Sequence, residues 1–116
     1  MDKITFFQQC VKEMLGDFAT LSNRWSDVEL IFDDTRRRYI VMRVGWHQAK
    51  RVHRCLVHID IVDESILIQA NNTEEEIKED LIALGVPGEV IILGFLPPEV
   101  RMLLEQEKTE RELEPA

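Results

Sequence analysis

The sequence has few of the features that mark membrane, secreted or disulfide-bonded proteins. Its longest uninterrupted apolar run is four residues, whereas a membrane-spanning helix needs about 20. The first ten residues include the charged Asp2 and Lys3 and have no long apolar stretch, unlike a secretory signal. The two cysteines, Cys10 and Cys55, are too few for a disulfide scaffold. We therefore expect a cytoplasmic protein with reduced thiols and no membrane contact.

Motifs for nucleotide, cofactor and metal chemistry are also missing. The chain contains no Gly-x-Gly-x-x-Gly, no Gly-Lys-Thr/Ser loop and no Cys-x-x-Cys, so neither a phosphate cradle nor a zinc site is indicated. His58 and Asp60 lie two residues apart, and a carboxylate can orient an imidazole as a general base, although a solvated polar pair is the simpler interpretation. His53 and Cys55 form a second pair that could supply a nucleophile, but the alternation of apolar residues indicates that Cys55 is a core residue. We expect no catalytic residues, no cofactor and no metal.

The length limits the fold. The chain has 116 residues, which is typical of one domain and far below the roughly 250 residues of a barrel of eight β/α units. We interpret residues 1–116 as a single domain. Residues 105–116 are highly charged and lack an apolar face, so this tail either extends the last helix or frays.

The charge is strongly negative but unevenly distributed. Lysine and arginine number 14 against 22 acids, which gives a net charge of −8. Seven of the basic residues, and no acids, lie between Thr35 and Arg54, so the rest of the chain carries 7 − 22 = −15. Such a charge repels duplex DNA, and direct DNA binding is therefore not our expectation. A basic segment in an acidic molecule more often meets an acidic protein surface, or acids of its own chain, than free nucleic acid.

Helical spacing dominates the N-terminal region. A 3-4 pattern of apolar residues runs through Ile4, Phe7, Val11, Met14, Phe18, Leu21 and Trp25. This pattern predicts an amphipathic helix capped by Asp2, with Gly16 in its middle. The helix packs on the core of its own domain or forms a seam with another chain.

The spacing of the apolar residues then changes from the helical 3-4 pattern to the alternation of strands. Four stretches have strand character and are separated by short polar turns: VELIF, RYIVMRVGW, VHRCLVHIDI and ILIQ. This arrangement predicts an antiparallel meander. By alternation, its inner face includes Val28, Met42 and Ile59.

The remainder predicts a helix, a short strand and a final helix. Thr73 to Glu76 has the pattern of a capping box, and Gly85 with Pro87 ends the helix. Residues 90–93 are a short buried strand, and Pro97-Pro98 precede the last helix. The predicted fold class is α+β: an N-terminal helix, a four-stranded antiparallel meander sheet, then a helix, a short strand and a C-terminal helix, with the helices mainly on one face of the sheet.

The second face of the predicted sheet is unusually apolar for a solvated surface. Alternation places six residues of interest there: Ile31, Val41, Arg43, Arg54, Leu56 and His58. Arginine beside apolar side chains is typical of an interface, where guanidinium groups meet carboxylates. We predict that these six residues bind a partner, either a second copy of the chain in a homodimer or a different protein. A helix of the same chain lying across this face is the alternative.

Several stretches in a fixed order resemble the excision controlling factor XisI family. They are VMRVGW (41–46), Arg51, LVHIDI (56–61), ILIQ (66–69), TEEEI (73–77), GVP (85–87), ILGF (92–95), Pro97 and Arg101. The combination is far more specific than any one stretch. Two features depart from the family pattern: Arg54 stands where a small or uncharged residue is expected, and the last twelve residues differ from the usual family C-terminus.

This resemblance implies an XisI-like domain and a role in controlling a programmed DNA excision that a separate recombinase performs. It also implies partners, namely the recombinase machinery or a nuclease-like protein of the XisH type, and it supplies no catalytic residues. We therefore predict a non-catalytic regulatory protein of site-specific DNA recombination that acts through protein–protein contacts. The alternative is an inhibitory, antitoxin-like partner of an XisH-type protein. An enzyme that uses His58 and Asp60 is a third hypothesis.

Overall fold

The computed structural model describes residues 2–103. The chain forms helix α1 and a short 3-10 helix, four strands, helix α2, a second 3-10 turn and a fifth strand. Residues 98–103 are again helical. The elements are α1 (Lys3–Gly16), the 3-10 helix Asp17–Leu21, β1 (Ser26–Asp33), β2 (Arg38–His47), β3 (Lys50–Val62), β4 (Ser65–Asn71), α2 (Ile77–Ala83), the 3-10 turn Gly88–Val90 and β5 (Ile91–Leu93).

The strands form one sheet in the order β1-β2-β3-β4-β5. The first four are antiparallel neighbours, as the alternating pattern predicted. β5 returns beside β4 in the parallel direction, so that Ile66 pairs with Ile91 and Ile68 with Leu93. The predicted α+β fold is confirmed, and the short strand completes a mixed sheet of five strands. The tail predicted for residues 105–116 lies outside the described residues.

Helix α1 begins as its sequence predicts but ends earlier. Asp2 caps it, since its Oδ1 accepts a hydrogen bond of 2.7 Å from the backbone amide of Thr5. After Gly16 the chain tightens into a 3-10 helix, which changes the angular position of every later residue. The predicted apolar seam is therefore wrong beyond Phe18: Leu21 and Trp25 are 48% and 44% exposed.

The core lies between the helices and one face of the sheet, and its β2 residues differ from the prediction. Tyr39 and Val41 are fully buried there, whereas Met42, which alternation placed inside, is only half-buried. The placement of Met42 in the core is wrong because both faces of β2 are apolar, so that alternation alone does not identify the inner one. Val28 and Ile59 are buried as predicted.

A β-bulge in β3 explains a second difference. Val41 pairs with Val57 but Met42 pairs with Cys55, which leaves Leu56 as an extra residue. A bulge reverses the alternation on either side of it. Consequently Leu56 and Val57 are both buried, and Cys55 lies on the face opposite to Val57.

Helix α2 also starts differently from its motif. It begins at Ile77, after Glu76, without a side-chain cap. The hydroxyl of Thr73 instead donates to Asn71 Oδ1 and accepts from the amide of Glu75, so the predicted capping box does not form. Gly85 ends the helix with a φ of 108°, as the sequence predicted.

Tyr39, the one tyrosine of the chain, supplies a pH-dependent contribution to stability. Its hydroxyl donates a 2.8 Å hydrogen bond to Asp34 Oδ1. Burial, and then the bond to Asp34, raise the pKa of the Tyr39 phenol well above its usual value. A tyrosine whose pKa is raised by folding stabilises the folded state. This contribution is fully present below the unfolded pKa of about 10, and it is lost as the pH rises from there toward the folded pKa.

We expect Tyr39→Phe to lower the free energy of unfolding by about 1 kcal/mol at pH 7, because the bond to a half-exposed carboxylate is lost. Between about pH 9 and 11, urea denaturation should show a loss of stability in the parent protein that is clearly smaller in Tyr39→Phe. Parallel pH profiles for the two proteins would show that Tyr39 does not carry the alkaline transition.

Candidate functional site

One face of the sheet is covered by α1 and α2, and the other carries apolar side chains that belong to no core. We call this second surface the open face. Cross-strand pairing aligns Ile31 with Ile40 and then His58, and aligns Met42 with Cys55. The open face comprises Ile31, Arg38, Ile40, Met42, Cys55, His58, Asp60, Leu67 and Ile92. Ile31 is 48% exposed, and most of the others are half-buried.

A polar cluster centred on Asp60 interrupts this apolar surface. Asp60 Oδ1 lies 2.8 Å from His58 Nε2 and 3.5 Å from Arg38 Nε. Gln69 Nε2 donates to the other oxygen, Oδ2, at 3.1 Å. Asp60 is 6% exposed, so its partners supply the hydrogen bonds that a buried carboxyl group requires. The cluster joins β2, β3 and β4 and sets the orientation of the His58 ring.

The predicted pairing of His58 with Asp60 is therefore present in the structure, but the arrangement around it is that of a fixed polar cluster. Cys55, the other reactive side chain of the open face, has its thiol pKa raised by burial. A raised pKa opposes formation of the nucleophilic thiolate. Within residues 2–103, no group of three or more His, Cys, Asp or Glu side chains is arranged to hold a metal ion.

The six residues predicted to bind a partner do not share a face. Ile31 and His58 lie on the open face as predicted. Val41 and Leu56 are 0% and 4% exposed and belong to the core, so their predicted placement on a surface is wrong. Val41 follows the true inner face of β2, and Leu56 is turned inward at the bulge.

Arg43 and Arg54 pair with each other across β2 and β3, on the side of the sheet that carries the helices. They lie at the end of the 3-10 helix, on the half of β2 and β3 nearer the turn between these two strands. Arg43 is held in place, since its guanidinium donates to Ser26 Oγ at 2.7 Å and to the Leu21 carbonyl at 3.3 Å. Their predicted position beside His58 on one face is therefore wrong.

The structure also separates the basic segment of the sequence into two groups. Arg36, Arg37 and Arg38 lie at the β1–β2 turn, where Arg36 pairs with Asp33 and Arg38 with Asp60. The other group surrounds the opposite end of β2 and is joined by aromatic side chains. We call this group the basic tip: Arg24, Trp25, Arg43, Trp46, His47, Lys50, Arg51, His53 and Arg54.

Aromatic and cationic side chains interleave in the basic tip. The Arg24 guanidinium lies 4.5 Å from the centre of the Trp25 ring, and that of Arg51 lies 5.3 Å from Trp46. Trp25 also meets His47 edge to face, with ring centres 5.0 Å apart. Sequence reasoning missed this site because it placed Trp25 in the apolar seam of the first helix and treated Trp46 only as part of a predicted strand. The available signal was the tryptophan directly after Arg24 and the second one close to Arg51.

Comparisons with known proteins agree with the fold. A family model described as XisI protein matches residues 1–106. The crystal structure of a XisI-like protein from Anabaena variabilis is 37% identical, with a TM-score of 0.81, over 86% of this chain and 94% of that one. The structure of fdxN element excision controlling factor XisI from the same organism is 30% identical, with a TM-score of 0.77, over 88% and 95% of the two chains. A search of curated proteins finds no match. Among the helices of residues 2–103, none has the length and apolarity that crossing a bilayer requires.

Proposed function

The chain belongs to the XisI family, and from this premise we propose that it is a non-catalytic accessory protein that regulates a DNA excision through protein–protein contacts. The regulatory part of the proposal draws on its relative, which is named an excision controlling factor of the fdxN element. The proposed partner is a protein of the excision machinery, such as the XisH-type protein that the family resemblance implies.

The observation that carries the proposal is the apolar open face, which lies opposite the helix-covered core within residues 2–103. Ile31, Ile40 and Met42 present contiguous apolar surface on β1 and β2, and Leu67 and Ile92 continue it across β4 and β5. A contiguous apolar patch with a polar centre is typical of a protein interface. The Asp60 cluster in its middle supplies the directional hydrogen-bonding groups that select one partner over another.

The non-catalytic part of the proposal is supported by the state of the reactive groups. The Asp60 carboxylate is already occupied by three neighbouring side chains. Burial raises the pKa of the Cys55 thiol, and burial with the nearby Glu13 charge does the same for Cys10. These are the properties of structural side chains rather than of an activated nucleophile.

A charge placed on the open face tests the proposal. We expect Ile31→Asp to weaken a complex with a co-expressed XisH-type protein by at least about tenfold, because the buried carboxylate finds no partner in an apolar contact. Ile31 is 48% exposed in the chain alone, so the variant should fold normally. Titration of the complex by light scattering after size-exclusion chromatography measures the effect.

The matched control is Ile82→Asp, which makes the same change at a 40% exposed position on α2, away from the open face. It should leave the complex unchanged. Equal complex formation by both variants would contradict the proposal. A parent protein that is dimeric alone and becomes monomeric in Ile31→Asp would identify a second copy as the occupant, and loss of nuclease activity of the partner in the complex would indicate the inhibitory role.

A further inference from the structure

Within the described part of the chain, the basic tip carries positive charge that is not paired with acidic side chains. Its five cations are Arg24, Arg43, Lys50, Arg51 and Arg54. Within residues 2–103, none of the five forms a salt bridge with a carboxylate, whereas Arg36 and Arg38 at the other end of β2 do. In a chain with a net charge of −8, cations left without acidic partners are available to an external anion.

The tip also has a concave surface in which an anion would be bound. A groove of about 600 Å³ lies beside the end of the β2–β3 hairpin, and among residues 2–103 no acid lines it. Its polar and aromatic lining includes Trp25, Arg43, His47, Arg51, His53 and Arg54. Arg43 is fixed by its bonds to Ser26 and Leu21, so part of the site is already ordered before a ligand arrives.

The aromatic side chains distinguish between classes of anion. Trp25 and Trp46 are 44% and 57% exposed, and His47 and His53 are exposed beside them. Exposed indole rings next to guanidinium groups stack on nucleobases while the cations contact phosphates. An acidic peptide would use the cations but would have no flat ring to place against the indoles.

We propose that the basic tip binds single-stranded nucleic acid, a function beyond the protein contacts assigned to the open face. An unpaired base stacks on Trp25 in the groove, and phosphates meet Arg43, Arg51 and Arg54, which line the same groove. The ligand is single-stranded because the bases of a duplex are stacked inside it and do not reach the tryptophans. Screening at physiological salt, over about 8 Å, limits repulsion from the acidic remainder of the chain.

The test uses the full chain and a fluorescently labelled oligo-dT of about 12 nucleotides, a length within the site sizes of single-strand binders. Binding is measured by the fluorescence anisotropy of the label and by the intrinsic tryptophan fluorescence of the protein. The parent protein should bind with quenching of that fluorescence, and its affinity should fall as salt increases. Trp25→Ala and Arg51→Glu, both in the lining of the groove, should each weaken binding at least about tenfold, since one removes a stacking surface and the other reverses a phosphate contact. Both side chains are exposed, and thermal unfolding verifies that the variants fold.

Arg36→Glu is the matched control, because it makes the same charge change at an exposed arginine at the opposite end of β2. It should retain the parent affinity to within about twofold. The proposal fails if oligo-dT does not bind, if Arg36→Glu weakens binding as much as Arg51→Glu, or if a duplex of equal length binds as tightly. It also fails if poly-glutamate displaces the oligonucleotide at equal charge concentration, since the tip would then be a site for acidic polypeptides.

Discussion

Replacing Gly45 by alanine should lower the free energy of unfolding by about 3 kcal/mol. A methyl group at this position would meet the backbone of the neighbouring strand, with 2.5 Å to Ser26 Cα, 2.8 Å to Ser26 Cβ and a contact with the Trp25 carbonyl oxygen that is closer still. Backbone atoms cannot move aside as a flexible side chain can. Gly45 pairs with Ser26 at the start of β1, so the substitution separates β1 from β2 at this end. Urea denaturation followed by circular dichroism measures the loss.

The same substitution at Gly16 should have the opposite sign. Gly16 is the last residue of α1 and has ordinary helical dihedrals, and a methyl group there would have no neighbouring atom within 4 Å. Alanine should stabilise the protein by about 0.5–1 kcal/mol, because it is the better helix former. If the two alanine variants have similar stabilities, the close approach of β1 to Gly45 is not a feature of the folded protein in solution.

The second large effect concerns the inner face of α1. Leu15→Ala should destabilise the protein by about 3 kcal/mol, since Leu15 is fully buried in the core cluster and its truncation leaves a cavity. Leu21→Ala should cost less than about 0.5 kcal/mol, because the 3-10 helix leaves Leu21 48% exposed. Chemical denaturation of the two variants gives both values.

This pair of variants also separates the observed structure from a continuous helix. In a seam that runs from Ile4 to Trp25, Leu21 is an inner residue and Leu15 is not. A larger loss for Leu21→Ala than for Leu15→Ala would therefore contradict the change of helix type after Gly16. The heptad pattern alone did not reveal this change, because 3-10 geometry depends on how the chain must turn to enter β1.

Local patterns predict the elements of this fold well, and pairing between strands explains the errors. The alternation of β1 and the turns of the meander depend on short-range preferences, and the structure confirms them. The inner face of β2 could not be predicted because Tyr39 and Val41 are no more apolar than Ile40 and Met42. The bulge at Leu56 has no glycine to mark it, since it arises from how β3 fits two neighbours at once.

The candidate site was predicted only in part for the same reason. The pairing of His58 with Asp60 depends on two residues of one strand, so their spacing was sufficient to predict it. The contributions of Arg38 and Gln69 to that cluster require the register of β2 and β4 with β3, which no local pattern contains. Val41 and Leu56 were placed on the wrong face, because the inner face of β2 was misassigned and the bulge in β3 turns Leu56 inward. The groove of the basic tip forms only when the fold brings Trp25 beside the end of the hairpin.

The order of the strands has a consequence for how the chain folds. Strands β1 to β4 are neighbours in sequence as well as in the sheet, and the connecting segments are 34–37, 48–49 and 63–64. Short loops close quickly and at little entropic cost, so the meander can form stepwise from its turns. The parallel β4–β5 pair must instead close over residues 72–90, which include α2. We therefore expect docking of the last strand to be the slow step of assembly, which would leave β4 as an unpaired edge open to other chains until it occurs.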